Sequence, residues 1–371
     1  MSLFLNSISL LNFRNYLGAG NSFNFHKKFV FIIGPNAIGK TNLLEAIQYI
    51  SFGGEGNKER EKILSKNAEQ NFFSIEANYE LESRDCTLEC SIGETKKNIK
   101  LNGVNYRSLS QCIDNLPKVI TFKSKESIEI VRGSPQKRRE WVDTTLTVLD
   151  LKYANALKRY NKALEQRNSL LKTFIQQKKS KQTILHEIDP WDIELSKYGV
   201  YLQNSRKQFV EKHSAQYISN YQIIASDSED KPSMNYQPSF YGCSDEMGLL
   251  RQFQEGHHID LIRGITNKGP HRDDFLLTLD DQEIRHFASQ GQQRTSSLAL
   301  KMLQLQLWQE QLGYSPLLLL DDVAAELDLS RQKALFSFLP TNGQVFITTT
   351  HLVNLPLISK EDYQIINLNK M

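Results

Sequence analysis

Two polar motifs at opposite ends of the 371-residue chain constrain its fold more than any other feature. Residues 34–41 fit the pattern Gly-x-x-x-x-Gly-Lys-Thr, follow the apolar run 29–33 and open a helical pattern over residues 42–50. Glycines let backbone N–H groups curl around phosphates, and the N-terminus of the following helix adds partial positive charge. This strand–loop–helix order predicts nucleotide binding. The predicted contacts are Gly34, Pro35, Asn36, Ala37, Ile38, Gly39, Lys40 (β/γ-phosphates) and Thr41 (Mg²⁺).

The second motif is a run of four leucines that ends in Asp321 and Asp322. It predicts a strand buried on both faces whose carboxyl end brings carboxylates to a crevice. We expect Asp321 to ligate Mg²⁺ and Asp322 to act as the general base or to position water. The alternative is a core strand that ends in a polar turn. Lys40 and Thr41, already present in the chain, make that alternative the weaker one.

A third motif, Ser-Gln-Gly-Gln-Gln at residues 289–293, lies about 25 residues before the leucine run and precedes an amphipathic helical pattern. It resembles the signature of ABC-type ATPases. There, a serine hydroxyl, a glycine amide and a helix N-terminus meet the γ-phosphate held by the other subunit. The resemblance implies that Ser289, Gly291 and Gln292 contact a nucleotide across a dimer interface.

Two further segments fit the same class of ATPase. Residues 326–328 resemble the D-loop that crosses the dimer interface, and His351 follows an apolar strand pattern where such ATPases often keep a γ-phosphate contact. A structural histidine at a strand end is the open alternative for His351.

The spacing of the motifs selects a subclass. Ser289 follows Thr41 by 248 positions, too many for a transporter ATPase domain, whereas SMC-like ATPases of DNA metabolism carry an insert here. We therefore predict an α/β fold: an ABC-type P-loop head with a mixed sheet, flanking antiparallel strands and an inserted helical arm. The predicted organisation is lobe I from residues 1–130 and 265–371, with the arm, lobe II, at residues 131–264.

The insert is strongly basic. Residues 132–182 hold thirteen Lys and Arg against four Asp and Glu, a net charge of +9 in a chain whose total is +3. Apolar spacing predicts one long helix there, a break at residues 186–190 and a second helix, together an antiparallel hairpin. A solvated face is the alternative to a DNA-binding surface. The candidate DNA contacts are Arg138, Arg139, Lys158 and Arg159.

These motifs, in their order along the chain, resemble the RecF family of bacterial replication and repair proteins. The residues that carry the resemblance are 11–16, 34–46, 132–135 with Arg138 and Arg139, 268–274, 289–294, and 320–323 with 326–328. Residues 122–126 and 51–55 depart from the family pattern.

The resemblance implies a weak ATPase whose ATP-dependent homodimer clamps DNA at single-strand gaps and on duplex DNA, and which takes part in the SOS response. It also implies partnership with RecR and RecO and support of RecA loading. The alternative is an SMC-like head that regulates a protein partner, as in defence systems. A transporter subunit is disfavoured by the spacing and the basic hairpin.

Composition sets the remaining limits. No apolar run approaches the roughly 18–20 residues of a membrane span, and no secretory signal begins the chain, so we expect a cytoplasmic protein without a membrane partner. The four cysteines show no paired spacing, which disfavours zinc.

Overall fold

The computed structural model describes residues 2–18, 20–52, 72–93, 97–177, 180–225, 228–240, 242, 245–322, 329–340, 342–350 and 361–368. The chain divides into two compact units. Unit 1 comprises Met1–Glu126 and Leu305–Met371, and unit 2 comprises Ser127–Gln304.

A parallel sheet forms the centre of unit 1. Its five strands lie in the order β14-β3-β13-β12-β8, and every neighbouring pair is parallel. The glycine loop and the aspartates both lie at the carboxyl edge of this sheet, because β3 leads into the loop and β12 ends at Asp321. Its strands are β3 (Phe29–Ile33), β8 (Val119–Lys123), β12 (Leu317–Asp321), β13 (Val345–Thr349) and β14 (Tyr363–Asn367).

Strand β12 shows why this sheet forms. It is buried at every position, as expected for a parallel strand covered on both faces, and its leucine run leaves no polar face to expose. Helix α1 (Lys40–Phe52) follows the loop after β3.

An antiparallel sheet of six strands completes unit 1, in the order β2-β1-β4-β5-β6-β7. Buried and less buried residues alternate along β4, the period-two pattern of a strand with one face on a core. That core joins the two sheets of unit 1 through residues such as Ile8, Ile75 and Leu319. The strands are β1 (Leu3–Leu11), β2 (Asn21–Asn24), β4 (Phe73–Leu81), β5 (Arg84–Ile92), β6 (Lys97–Leu101) and β7 (Val104–Tyr106).

Unit 2 is mainly helical. Its helices are α2 (Ser124–Arg132, which begins in unit 1), α3 (Pro135–Leu149), α4 (Leu151–Gln177), α5 (Lys181–Ala225), α6 (Glu246–Arg263), α7 (Ile284–Phe287) and α8 (Gln290–Leu312, which ends in unit 1). Helix α9 (Leu329–Ser337) belongs to unit 1.

The helical hairpin forms, but its turn is not where the sequence predicted it. Helix α4 ends at Gln177 and α5 begins at Lys181, so residues 186–190 lie inside α5 together with Pro190. A proline inside a helix removes one backbone hydrogen bond. Buried contacts of Ile184 and Ile188 with Leu171 of α4 outweigh that loss. The predicted break at 186–190 is therefore wrong, as is the single helix over 132–182, which is interrupted at Asp150.

A small antiparallel sheet, in the order β11-β10-β9, also belongs to unit 2. Its strands are β9 (Pro232–Gln237), β10 (Asp274–Leu279) and β11 (Gln282–Glu283). Residues 265–371 were predicted to belong to lobe I together with residues 1–130. The structure keeps residues 265–304 in unit 2, because β10 pairs with β9 and α8 bonds to α5 through Tyr217 and Ser296. Within the described residues, no helix has both the length and the hydropathy to cross a membrane.

Candidate nucleotide-binding site

The glycine loop joins β3 to α1 in a conformation that needs its glycine at position 39. Gly39 has φ 119°, and a side chain there would meet the Asn15 amide at 2.5 Å. Lys40 is only 4% exposed, and its Nζ donates to the carbonyl oxygens of Gly34 (2.9 Å) and Pro35 (3.1 Å). The ammonium group therefore lies folded over the loop that it would serve, at the N-terminus of α1.

The two distant motifs meet in the structure. Thr41 Oγ1 donates to Asp321 Oδ1 at 3.0 Å, although 280 positions separate the two residues in the sequence. Thr348 at the end of β13 donates to the same oxygen at 2.8 Å. Strand β13 lies between β3 and β12, so the parallel register brings all three residues to one edge. Thr348 was not among the site residues predicted from the sequence, which placed it after the strand 345–347. The signal that was missed is its position opposite Asp321, near the end of a strand that pairs with β12.

Asp322, the predicted general base, follows directly. Its backbone is left-handed, with φ 52°, and its N–H donates to Thr348 Oγ1 at 2.9 Å. Non-glycine residues adopt this region infrequently, Asp and Asn more often than others, and such outliers concentrate at functional sites. Thr348 thus bonds to both aspartates, to the carboxylate of Asp321 and to the main chain of Asp322.

The donors at this edge suit a magnesium ion. A threonine hydroxyl and a carboxylate are the hard oxygen ligands that Mg²⁺ takes. Their 3.0 Å separation matches adjacent corners of an octahedron with bonds of about 2.1 Å. Thr41 and Asp321 are the residues that would hold the ion, and their role as magnesium ligands stays a prediction.

A turn at residues 12–16 contacts the glycine loop from outside. Asn15 Nδ2 donates to the Ile38 carbonyl at 2.7 Å, and the Tyr16 hydroxyl donates to the Gly39 carbonyl at 3.0 Å. Asn42 Nδ2 in turn donates to Asn15 Oδ1 at 2.6 Å. The same turn is tied to α1 by the ion pair of Arg14 with Glu45, at 2.9 Å. Residues 11–16 carry part of the family resemblance, and no role for them could be predicted from the sequence.

The predicted signature forms the N-terminus of α8 in unit 2. Ser289 and Gln292 make a capping box: the Gln292 N–H donates to Ser289 Oγ (3.3 Å), and the Ser289 N–H donates to Gln292 Oε1 (2.9 Å). Ser289 is exposed and Gly291 partly so, as a surface that faces another molecule requires. The side-chain N–H₂ of Gln292 donates to Asp230 Oδ1 at 3.0 Å, so both ends of its amide are bonded within unit 2. Gln292 therefore holds Ser289 in place, a role the sequence did not suggest.

The four basic candidates divide into two pairs. Arg138 is 3% exposed and forms a bidentate pair with Asp274, at 2.7 and 2.9 Å. Arg139 is partly buried and donates to the Asp273 carbonyl. Arg138 is therefore inaccessible to a DNA phosphate, and that part of the prediction is corrected. Lys158 and Arg159 are exposed on α4.

The motif at residues 268–274 is a buried hub of unit 2. The Arg206 guanidinium bonds the carboxylates of Asp143 (2.8 Å) and Asp273 (3.0 Å). His271 Nε2 lies 3.0 Å from the Thr266 carbonyl and therefore donates to it, so Nδ1 accepts from the Tyr160 hydroxyl at 2.8 Å. Burial is the largest cause that lowers the pKa of His271; with nearby arginines it outweighs the hydrogen bond to the Thr266 carbonyl, and the resulting pKa is about 3. These residues hold the turn in one conformation, and His271 stays neutral there.

Residues 326–328 and His351 lie outside the described residues. Their predicted roles therefore stay predictions.

Comparison with known proteins agrees with this geometry. The family model described as RecF/RecN/SMC N terminal domain matches residues 4–360. The DNA replication and repair protein RecF of Natranaerobius thermophilus is 34% identical over 362 residues, covering 94% of this chain and 91% of that protein. RecF of Clostridium novyi is 35% identical over 363 residues, covering 95% and 94%.

Solved structures give the same result. One described as the recombination mediator protein RecF-ATP in the RecFOR pathway has a TM-score of 0.81 at 31% identity, covering 95% of each chain. An Smc head domain of Pyrococcus furiosus, with a TM-score of 0.52 at 14% identity, shares the fold. By sequence and by structure, this chain belongs to the RecF family of DNA replication and repair proteins and has the SMC-like, ABC-type ATPase head of that family.

Proposed function

We propose that this protein is an ATP-dependent DNA-binding clamp that acts at single-strand gaps and on duplex DNA. The observation that carries the proposal is the junction of the glycine loop with Asp321, through Thr41 at 3.0 Å. A chance glycine turn has no reason to end on a threonine bonded to a carboxylate 280 positions away. A solved relative is described as RecF-ATP, which supports ATP as the nucleotide.

The residues of unit 1 that form the proposed ATP site have separate roles. Backbone N–H groups of the loop and Lys40 bind the phosphates, Thr41 and Asp321 hold Mg²⁺, and Asp322 orients the attacking water. The magnesium ion, when bound, neutralises charge on the β- and γ-phosphates. Hydrolysis is a weak activity in this proposal and serves to release the clamp.

The second half of each ATP site comes from another copy of the chain. Ser289 and Gly291 lie at an exposed helix N-terminus, where N–H groups and the helix dipole attract anions. ATP would therefore join two copies in a two-fold dimer. Membership of the family supports partnership with RecR and RecO and support of RecA loading at gaps.

The DNA contacts are proposed on the helical hairpin. Arg159 Nη1 lies 3.2 Å from the Tyr198 hydroxyl, and its guanidinium is 5.7 Å from the centre of that ring. Lys197 Nζ lies 5.7 Å from the same ring. Together with the exposed Lys158, these residues form a basic and aromatic surface, here called the hairpin patch (Lys158, Arg159, Lys197, Tyr198). Such a surface suits the phosphate backbone of DNA.

ATP-dependent dimerisation, measured by light scattering with and without gapped DNA, tests the proposal. We expect dimers only with ATP and Mg²⁺, further stabilised by DNA, and none for Lys40→Met. The replaced ammonium contributes charge-assisted hydrogen bonds of about 1.5–3 kcal/mol. Normal dimerisation of Lys40→Met would contradict the site. Dimers whose stability does not change with DNA would instead favour the alternative of an ATPase head that regulates a protein partner.

The hairpin patch has its own test. The double variant Lys158→Gln/Arg159→Gln should bind DNA more weakly, and its salt dependence should fall by about 0.9 in slope for each lost phosphate contact. Lys207→Gln is the matched control, because Lys207 is exposed on the same hairpin but lies 3.8 Å from Glu211. An unchanged slope in the double variant would remove the hairpin patch from the DNA surface.

A further inference from the structure

Two side chains outside the glycine loop bond to consecutive carbonyl groups within it. Asn15 donates to the carbonyl of Ile38, and Tyr16 donates to the carbonyl of Gly39. The second carbonyl also accepts the first backbone bond of α1, from the Leu43 N–H at 3.0 Å. These are the last two peptide groups before the lysine of the motif.

Peptide geometry makes these bonds more than local packing. A peptide group is planar and trans, so its C=O and N–H point in opposite directions. Fixing the Ile38 carbonyl therefore fixes the direction of the Gly39 N–H, and fixing the Gly39 carbonyl fixes the Lys40 N–H. In a loop of this type, the backbone N–H groups cradle the phosphates.

We propose that Asn15 and Tyr16 are positioning residues that aim the Gly39 and Lys40 N–H groups at the nucleotide phosphates. The proposal rests on the proposed ATP binding and deepens it. Neither residue needs to touch the nucleotide, since each acts through a carbonyl of the loop.

The surroundings of Asn15 fit this role. Its amide is held in one orientation because Asn42 donates to Oδ1, which leaves Nδ2 directed at Ile38. Gly39 supplies the space, because any Cβ at that position would collide with the Asn15 amide. Asn42 belongs to α1, so the turn, the loop and the helix form one bonded group.

Tyr16 fits the role by its protonation state. Burial raises the pKa of its hydroxyl, so the group stays protonated at neutral pH and can donate a hydrogen bond. Its neighbour in the core, Phe23, packs edge-on at 5.6 Å between ring centres and fixes the ring. The hydroxyl is therefore held where it can donate its hydrogen bond to the Gly39 carbonyl.

Tyr16→Phe removes only the hydroxyl and gives the sharper test. Tyr79→Phe is the matched control: Tyr79 is also buried in unit 1 and donates to a backbone carbonyl, that of Asn115, at 2.7 Å. Both variants should lose similar thermal stability. Only Tyr16→Phe should weaken ATP binding, by about fivefold, since a net hydrogen bond corresponds to roughly 2- to 12-fold in an equilibrium constant. Calorimetric titration with ATP and with ADP measures this. ADP should weaken equally, because the loop binds the α- and β-phosphates that both nucleotides carry.

Asn15→Ala provides the second arm, with Asn21→Ala as its control. Asn15 is exposed, so its loss leaves the core intact, and Asn21 likewise donates to backbone carbonyls, those of Leu17 and Gly18. We expect weaker ATP and ADP binding for Asn15→Ala alone. Wild-type affinity in both Asn15→Ala and Tyr16→Phe overturns the inference, as does an equal loss in the two controls. A wild-type chain that binds no ATP overturns the proposed function itself, which separates the two failures.

Discussion

Asp322 shows how a single residue can be tested without disturbing its surroundings. The left-handed backbone at φ 52° would strain most side chains, but asparagine tolerates it about as well as aspartate. The N–H bond to Thr348 is a main-chain bond and survives any substitution that keeps the backbone. The carboxylate can therefore be removed alone.

Asp322→Asn should bind ATP and dimerise normally but hydrolyse ATP at least tenfold more slowly, because general-base or water-positioning groups contribute about 10²–10⁴-fold. Single-turnover hydrolysis measures the effect. Asp280→Asn is the control for the backbone, since Asp280 is exposed in unit 2 and has φ 47°. Hydrolysis at the wild-type rate would make Asp322 a structural residue at the end of the strand.

His271 predicts a pH dependence of stability. Its pKa in the folded protein, about 3, lies below the ordinary value of 6.5, so only the unfolded chain takes up this proton as the pH falls below 6.5. Its contribution to stability is present above pH 6.5 and declines by at most about 1.4 kcal/mol per pH unit below it. His271→Gln should therefore melt below the wild type at pH 7.5, and the difference in Tm should shrink toward pH 5. Parallel Tm curves for the two proteins would show that His271 titrates normally.

At the scale of elements, the N-terminus of α8 depends on Asp230, which precedes β9. Burial raises the pKa of Asp230, but hydrogen bonds from Tyr221, Ser228 and Gln292 outweigh this and leave the net pKa below its ordinary value. Its carboxylate bonds Tyr221 of α5 on one oxygen and Gln292 on the other. The end of the 45-residue helix is thereby joined to the residue that caps Ser289.

Gln292→Ala should weaken ATP-dependent dimerisation several-fold while leaving ATP binding to the monomer unchanged. The variant loses the reciprocal half of the capping box and the bond to Asp230, so Ser289 is less well held. Analytical ultracentrifugation with ATP measures the dimer. Gln290→Ala, a change at the exposed neighbouring position, should leave the dimer unaffected. Equal dimer affinity in both variants would remove Gln292 from the interface argument.

The same scale shows what the sequence could predict and why the rest needed the structure. Strands with strong local patterns could be located from the sequence, among them the apolar run 29–33 and the leucine run that ends in Asp321. The break predicted near Pro190 was wrong, because contacts between α4 and α5 stabilise the helix there. Such contacts are not local in the sequence. The prediction that Arg138 contacts DNA failed for the same reason. Its partner Asp274 lies 136 positions away, so the local density of basic residues could not show that its charge is neutralised.

At the scale of the whole molecule, the motifs of the proposed site are distributed over both units. The loop, Thr41 and Asp321 belong to unit 1, whereas Ser289 and Gly291 belong to unit 2. Each of these motifs has a fixed pattern and could therefore be named from the sequence, and the roles of its residues in the site stay predictions. It could not predict the supporting residues Asn15, Tyr16, Asp230 and Thr348, whose roles come only from contacts.

The proposal that each ATP site is shared between two chains leads to a complementation test. Ser289→Arg should bind ATP as a monomer yet fail to dimerise, because a bulky cation occupies the exposed helix N-terminus. Lys40→Met should also fail to dimerise, because its own glycine loop has lost the lysine that binds the phosphates. When the two variants are mixed, one site of each mixed dimer pairs an intact loop with an intact Ser289, so ATP-dependent dimers and DNA binding should be partly restored.

The decisive control keeps the number of substitutions and changes only their arrangement. A chain that carries both Lys40→Met and Ser289→Arg, tagged and mixed with untagged wild type, forms mixed pairs in which every site is damaged on one side. Capture through the tag, followed by detection of the untagged chain, should therefore recover ATP-dependent partners from the mixture of single variants but not from this one. Equal recovery from both mixtures would show that the sites are not composite. Stable dimers of Ser289→Arg alone, holding DNA with ATP, would refute the clamp arrangement as well.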